Sequence, residues 1–277
     1  AIVINTSWNI YNFRGGLFNT FKTLGWEVIA IAPEDEYSSL LKENYGIRLI
    51  PICMQNKGTN PWNDFNLYKK YKKIYKKELP DVVLHYTIKP NIYGTMAASD
   101  LKIPVINNVS GLGTTFIRKN LVSTIASKLY KRSFKRAGKV FFQNEDDRAI
   151  FLEKRLVKSK QTSLVPGSGI DLQKFQPAPF PEEFNFLFVA RLLYDKGIME
   201  YLHAAERLKE KGVGATFNVL GFIDEAGKFG MPLNKIKEWE KRGVINYLGE
   251  VKDVRAIYAK ASVVVLPSYR EGTPKAL

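Results

Sequence analysis

Two short segments carry the residues best suited to chemistry. Val189-Ala190-Arg191-Leu192-Leu193-Tyr194-Asp195-Lys196-Gly197 places two cations just past the apolar run Phe186–Val189. Pro267-Ser268-Tyr269-Arg270-Glu271-Gly272-Thr273-Pro274 places a carboxylate and a glycine just past Ser262–Leu266. Both apolar runs read as strands of a parallel sheet, and open α/β sheets bind ligands outside the carboxyl ends of their strands. Arg191 offers a planar fork of donors and Lys196 a compact charge, a combination that can neutralise a departing diphosphate. The alternative, two solvated cations at a helix start, is disfavoured by the helix dipole. Glu271 can accept hydrogen bonds from sugar hydroxyls, while Gly272 and Thr273 present backbone N–H groups at the start of a helix. Alone, Glu271 serves equally well as a cap for that helix.

Further candidates stand in the first half. Asn12-Phe13-Arg14-Gly15-Gly16 reads as a loop between the first strand and the first helix. Adjacent glycines let backbone approach a ligand or allow tight packing, and Arg14 can meet an anionic acceptor. A full G-x-G-x-x-G is missing, which disfavours a nicotinamide or flavin site. His85-Tyr86-Thr87-Ile88-Lys89-Pro90-Asn91 follows a buried strand, so His85 is either a ligand-facing or a satisfied strand-end histidine. Asn107-Asn108-Val109-Ser110-Gly111-Leu112-Gly113-Thr114-Thr115 closes the next strand with small and polar residues suited to an acceptor, and Lys57-Gly58-Thr59-Asn60-Pro61 is a further acceptor loop. His203 reads as structural.

The elements that must position these residues alternate between strand and helix. Ala1–Ile4, Val28–Ile31, Leu49–Ile52, Val82–His85, Val105–Asn107 and Val140–Phe142 read as strands. Helical patterns occupy Gly16–Leu24, Tyr37–Glu43, Phe65–Lys77, Ile92–Ser99 and Leu121–Lys135. This is the signature of a parallel sheet covered on both faces. A Pro/Gly cluster at Val165-Pro166-Gly167-Ser168-Gly169, with Pro177, Pro179 and Pro181, marks a linker. Alternation resumes with strands Phe186–Val189, Ala215–Leu220 and Ile245–Leu248 and helices Ile198–Lys211, Asn234–Arg242 and Val254–Lys260.

Composition excludes several classes. A hydrophobic content of 45% and a charged content of 25% are those of a globular protein. No apolar run reaches the roughly 20 residues of a bilayer-spanning helix, and the opening strand leaves no leader-like segment. The single cysteine, Cys53, excludes an internal disulfide, and two histidines without a cysteine cluster argue against structural zinc. The net charge of +15 points to an anionic partner. It concentrates in Lys69–Lys77 and in Arg118–Lys160, where Leu67, Tyr71 and Ile74 and then Leu129, Tyr130 and Phe134 interleave with the cations. Basic amphipathic helices with aromatic residues read as membrane-surface binders. No pattern of a nucleic-acid-binding module is present, so no nucleic acid is expected.

These motifs together resemble family 4 glycosyltransferases of the GT-B fold, especially bacterial enzymes that extend lipid-linked sugars for capsule, O-antigen or protein glycosylation. Arg191 through Lys196-Gly197 is similar to the family's Arg-x4-Lys-Gly element, and Arg270-Glu271-Gly272-Thr273-Pro274 to the first half of its Glu-x7-Glu motif. Val165-Pro166-Gly167-Ser168-Gly169-Ile170-Asp171 through Phe175 is similar to its inter-domain hinge. The resemblance implies two Rossmann-like parallel-sheet domains facing a cleft: an acceptor domain over 1–170, a linker over 171–184 and an incomplete donor domain over 185–277. It implies catalytic roles for Glu271, Arg191 and Lys196, and donor binding by Gly15, Gly16, Gly221, Val251, Gly272 and Thr273. Acceptor binding would fall to Arg14, His85, Thr87, Lys89 and Asn108. The second glutamate of the motif would lie beyond Leu277, so the chain is expected to stop inside the donor domain and to bind donor poorly.

The implied reaction retains the anomeric configuration, with the departing phosphate taking the acceptor proton. The implied substrates are a UDP-linked sugar and a lipid-linked saccharide, with no cofactor and no metal, at the cytoplasmic face of the plasma membrane. The alternative from charge alone is a basic protein that docks to membranes or nucleic acid without catalysis.

Overall fold

The structure, a computed structural model, describes residues 1–55, 60–111, 121–223 and 230–276. The Lys57–Thr59 part of the acceptor loop, Leu112–Thr115 and Arg118 lie outside the described residues. The chain divides into two compact units, Ala1–Gly169 and Ile170–Leu277.

In the first unit, β1 (Ile2–Val3), β2 (Ile29–Ala32), β3 (Arg48–Pro51), β4 (Val83–Tyr86), β5 (Val105–Val109), β6 (Lys139–Phe142) and β7 (Thr162–Leu164) form one parallel sheet. Its order is β3-β2-β1-β4-β5-β6-β7. The chain builds outward from β1 to β3, then restarts at β4 on the other side of β1. The order therefore reverses between β1 and β4, the point at which open α/β sheets bind ligands beyond their carboxyl ends.

Helices α1 (Ser7–Thr23), α2 (Ser38–Tyr45), α3 (Pro61–Glu78), α4 (Thr95–Asp100), α5 (Leu121–Phe134) and α6 (Glu145–Glu153) connect these strands. Their starts follow local chemistry. Thr6 accepts a hydrogen bond from the Asn9 N–H at 3.1 Å and so caps α1. Asn60 caps α3, with Pro61 in the first turn. Asn144 caps α6, whose first turn carries Glu145, Asp146 and Asp147 against the helix dipole.

Three expectations change here. Helix α1 begins at Ser7, so Arg14, Gly15 and Gly16 lie inside a helix and not in a loop. The Thr6 cap outweighs the helix-breaking tendency of the adjacent glycines. The helix read over Ile92–Ser99 is present but begins earlier and changes pitch, with a π-helical stretch, Pro90–Gly94, running into α4. The aromatic residues of the two basic blocks turn inward: Leu67, Tyr71 and Tyr75 of α3 are buried, as are Tyr130 and Phe134 of α5. The Tyr71 and Tyr75 rings stack at 5.8 Å, and burying an aromatic side chain contributes about 1.5–3 kcal/mol. Their period serves the core, leaving Trp62 and Phe65 as the exposed aromatics of α3.

The second unit contains β8 (Asn185–Val189), β9 (Thr216–Leu220), β10 (Asn246–Tyr247) and β11 (Val263–Val265), all parallel in the order β10-β9-β8-β11. Helices α7 (Ile198–Glu210), α8 (Leu233–Lys241) and α9 (Arg255–Tyr258) accompany them. Phe188, Leu192, Ile198, Leu202, Val219 and Ile236 form the centre of its core. Strands β8 and β11 are neighbours, so the Arg191 and Glu271 segments leave the sheet side by side.

Candidate active site

The second unit brings Lys196 and Glu271 into contact. Lys196 Nζ lies 2.5 Å from Glu271 Oε1, and the side chains are 20% and 24% exposed. Two backbone features hold this geometry. The Tyr269 N–H donates to the Asp195 carbonyl at 3.0 Å, tying the two loops together. Gly197 ends the short 3₁₀ turn Tyr194–Lys196 at φ 76° and ψ 26°, and a Cβ there would stand 2.2 Å from the Pro267 carbonyl oxygen. Only glycine combines that left-handed backbone with so close an approach. The Tyr269 hydroxyl also donates to Glu200, holding the Glu200 carboxyl below its usual pKa.

Gly221 plays a related part. At φ 152° it ends β9, where a Cβ would fall 1.7 Å from the Ala190 carbonyl oxygen. Its N–H donates to Gly249 at 2.8 Å, and its carbonyl accepts from the Tyr247 hydroxyl at 3.0 Å. Gly221 thus sets the path of the chain into Arg191. Arg191 is exposed and makes no ion pair among the described residues. Val251 is half-buried after β10, Gly272 is half-buried and Thr273 is exposed. Residues 272–276 form bends and a turn.

Sequence reasoning passed over Asp195 and Ser268. Asp195 Oδ1 and Ser268 Oγ are buried polar atoms without a hydrogen-bond partner among the described residues. Buried polar atoms are rarely left unpaired away from functional sites. Both stand inside motifs already singled out, so the available signal was their position alone.

In the first unit, Arg14, Thr87 and Asn108 lie near the carboxyl edge of the sheet. The Arg14 guanidinium sits over the Tyr86 ring at 4.1 Å, and Asn108 pairs with Tyr86 in the strand register. Asn108 accepts at its carbonyl from Asn91 Nδ2 at 2.9 Å. Lys89 is committed elsewhere: it pairs with Asp64 at 2.8 Å, which also accepts from the Tyr93 hydroxyl.

His85 is corrected from the acceptor set. It is fully buried, with Nε2 2.8 Å from the Tyr75 hydroxyl and Nδ1 3.2 Å from Asn107 Oδ1. Burial lowers its pKa to about 3, so it is a neutral interior group. Gly15 is likewise a packing residue, since a Cβ would meet the Tyr45 hydroxyl at 2.3 Å, while Gly16 is exposed on α1. Among the described residues, no group of three His, Cys, Asp or Glu side chains could hold a metal ion. No described helix is long and apolar enough to cross a membrane.

Comparison with known proteins now decides the family. Residues 2–144, just over half of the chain, match the family described as Glycosyl transferase 4-like, and residues 170–277 match Glycosyl transferases group 1. The chain belongs to the glycosyl transferase 4-like family.

It is a glycosyltransferase, as the motifs led us to expect. It is 31% identical to the N,N'-diacetylbacillosaminyl-diphospho-undecaprenol alpha-1,3-N-acetylgalactosaminyltransferase of Campylobacter jejuni, over 96% of this chain and 73% of that protein. It is 26% identical to the UDP-Gal:alpha-D-GlcNAc-diphosphoundecaprenol alpha-1,3-galactosyltransferase of Escherichia coli, over 74% of this chain and 56% of that protein. Among solved structures it resembles Anabaena HepE in complex with UDP-glucose, with a TM-score of 0.72 at 15% identity over 98% of this chain and 74% of that one. The expected GT-B class of this glycosyltransferase agrees with that likeness.

Proposed function

We propose that this glycosyltransferase moves a sugar from a UDP-linked donor to a saccharide carried on a lipid diphosphate, with retention of anomeric configuration. The observation that carries the reading is the Lys196–Glu271 pair at the carboxyl ends of adjacent strands. A diphosphate entering there meets Lys196 and Arg191, and Glu271 is released to accept hydrogen bonds from the sugar. A hydrogen bond to a charged group contributes about 1.5–3 kcal/mol, and more of that acts in the transition state as the leaving group gains charge. The anomeric carbon–oxygen bond breaks with its electron pair leaving on UDP. The acceptor oxygen bonds the same face of that carbon, and its proton passes to the departing phosphate. The protein supplies charge stabilisation and orientation, which this residue set provides. We further propose that it needs no metal or cofactor.

The acceptor class is supported by the two relatives, whose names both specify an undecaprenol diphosphate carrier. Location at the inner face of the plasma membrane is supported by α3. Its exposed face carries Trp62, Phe65, Lys69, Lys73, Lys76 and Lys77, with Lys69 over the Phe65 ring at 4.5 Å. Thermal stabilisation of the full-length protein by a panel of UDP-sugars tests the donor half. A shift with one of them, abolished by Arg191→Ala, is expected; no shift with any nucleotide sugar would contradict it.

A further inference from the structure

Arg14 is a charge without a counter-charge. It is 8% exposed, its Nε is fully buried, and among the described residues it forms no hydrogen bond or ion pair. Burying a cation away from water is costly unless something compensates. The Tyr86 ring face compensates in part, since the guanidinium lies 4.1 Å from the ring centroid and a cation over an aromatic face is attracted by the ring quadrupole. Burial still depresses the Arg14 pKa. A fork of donors is thus held in place while its hydrogen-bonding capacity goes unused.

Its position is specific. Arg14 belongs to the helix that follows β1, and Tyr86 is the last residue of β4. The two meet where the strand order of the first sheet reverses. The next residue, Thr87, has φ 66°, a left-handed backbone that a β-branched side chain adopts only under strain. Its Oγ1 is buried and has no partner among the described residues. An arginine fork and a hydroxyl, both unsatisfied at one switch point, match the oxygens of a phosphate group.

We infer that Arg14, supported by Tyr86, and Thr87 form a pyrophosphate-recognition site, and that its occupant is the diphosphate of the lipid-linked acceptor. This rests on the proposed acceptor class. The source is assigned to the acceptor because the second unit has its own cations for the donor, Lys196 and Arg191. Lys89, two residues beyond Thr87, is neutralised by Asp64. Among the described residues at this switch point, Arg14 is the cation left to recognise an anion.

The test compares binding of farnesyl diphosphate, inorganic pyrophosphate and UDP by calorimetry on the native chain and on Arg14→Met, Arg14→Lys and Thr87→Val. Arg14→Met should weaken farnesyl diphosphate and pyrophosphate at least tenfold and leave UDP within twofold. Arg14→Lys should recover part of that loss, because it restores charge without the fork. Should Arg14→Met fail to fold, as read by its melting transition, Arg14→Lys and Thr87→Val decide the question by the same measure. Unchanged farnesyl diphosphate affinity in a folded variant would overturn the inference. Loss confined to UDP would overturn it too, by assigning the site to the donor. A native protein that transfers no sugar would instead count against the proposed function, and the binding comparison would still read the site.

Discussion

Lys196 and Glu271, 75 residues apart, touch at 2.5 Å because Gly197 lets the backbone of one loop reach the Pro267 carbonyl of the other. The contact is partly exposed, and such ion pairs contribute under about 1 kcal/mol to stability. Its placement at two strand ends is better explained by ligand chemistry. Lys196→Ala should therefore lower kcat/KM by about tenfold to a hundredfold, the equivalent of one charged hydrogen bond. Its melting temperature should stay close to that of the native protein. A large loss of stability with activity preserved would assign the pair a structural role.

Gly197→Ala should damage both. The left-handed backbone alone costs a non-glycine residue about 1–2 kcal/mol, and the clash with Pro267 adds to that. A fall in the denaturation midpoint accompanied by loss of transfer is expected. Gly16→Ala, at an exposed helical position with open space around its Cβ, should stabilise slightly and provides the control.

The buried His85 makes stability depend on acidity. Its folded pKa, about 3, lies below the ordinary value of 6.5. Between those values the unfolded chain holds a proton that the folded chain lacks, so stability is complete above 6.5 and declines as pH falls towards 3. One such proton gives a slope of about 1.4 kcal/mol per pH unit. Urea midpoints across this range should show a shallower slope in His85→Asn than in the native protein; identical slopes would exclude His85 as the cause.

Membrane docking through α3 should be electrostatic, because its regular apolar stripe is spent on the core. Removing the charges of Lys69, Lys73 and Lys76 together should weaken binding to phosphatidylglycerol vesicles about a hundredfold, at about 1 kcal/mol per charge. Sedimentation with vesicles of graded anionic content checks this. Equal binding of native and triple-alanine proteins would remove α3 from the interface.

Much of this molecule could be read from the chain. The β-branched and aromatic runs ending at Val189 and Leu266 are neighbouring strands as read, and of the charges beyond them Lys196 and Glu271 meet. The first unit was harder. Arg14-Gly15-Gly16 looked like a ligand loop, yet the Thr6 cap carries α1 straight through it, and Gly15 is needed against Tyr45. His85 stands at a strand end, a position that does not reveal whether neighbouring helices will close over it; Tyr75 and Thr95 do. The aromatic interleaving of α3 had the same period whether it faced lipid or core. Asp195 and Ser268 gave no signal beyond their position inside the two motifs, because an unsatisfied buried atom is a property of packing.

The most direct test is transfer itself. The native protein should be incubated with a UDP-sugar and a saccharide on a short polyprenyl diphosphate, and the new linkage read by the anomeric coupling in its NMR spectrum. The account predicts a product with the donor's anomeric configuration, formed by the native protein and at least tenfold more slowly by Glu271→Gln and Lys196→Ala. An inverted product, or undiminished transfer in both variants, would contradict it.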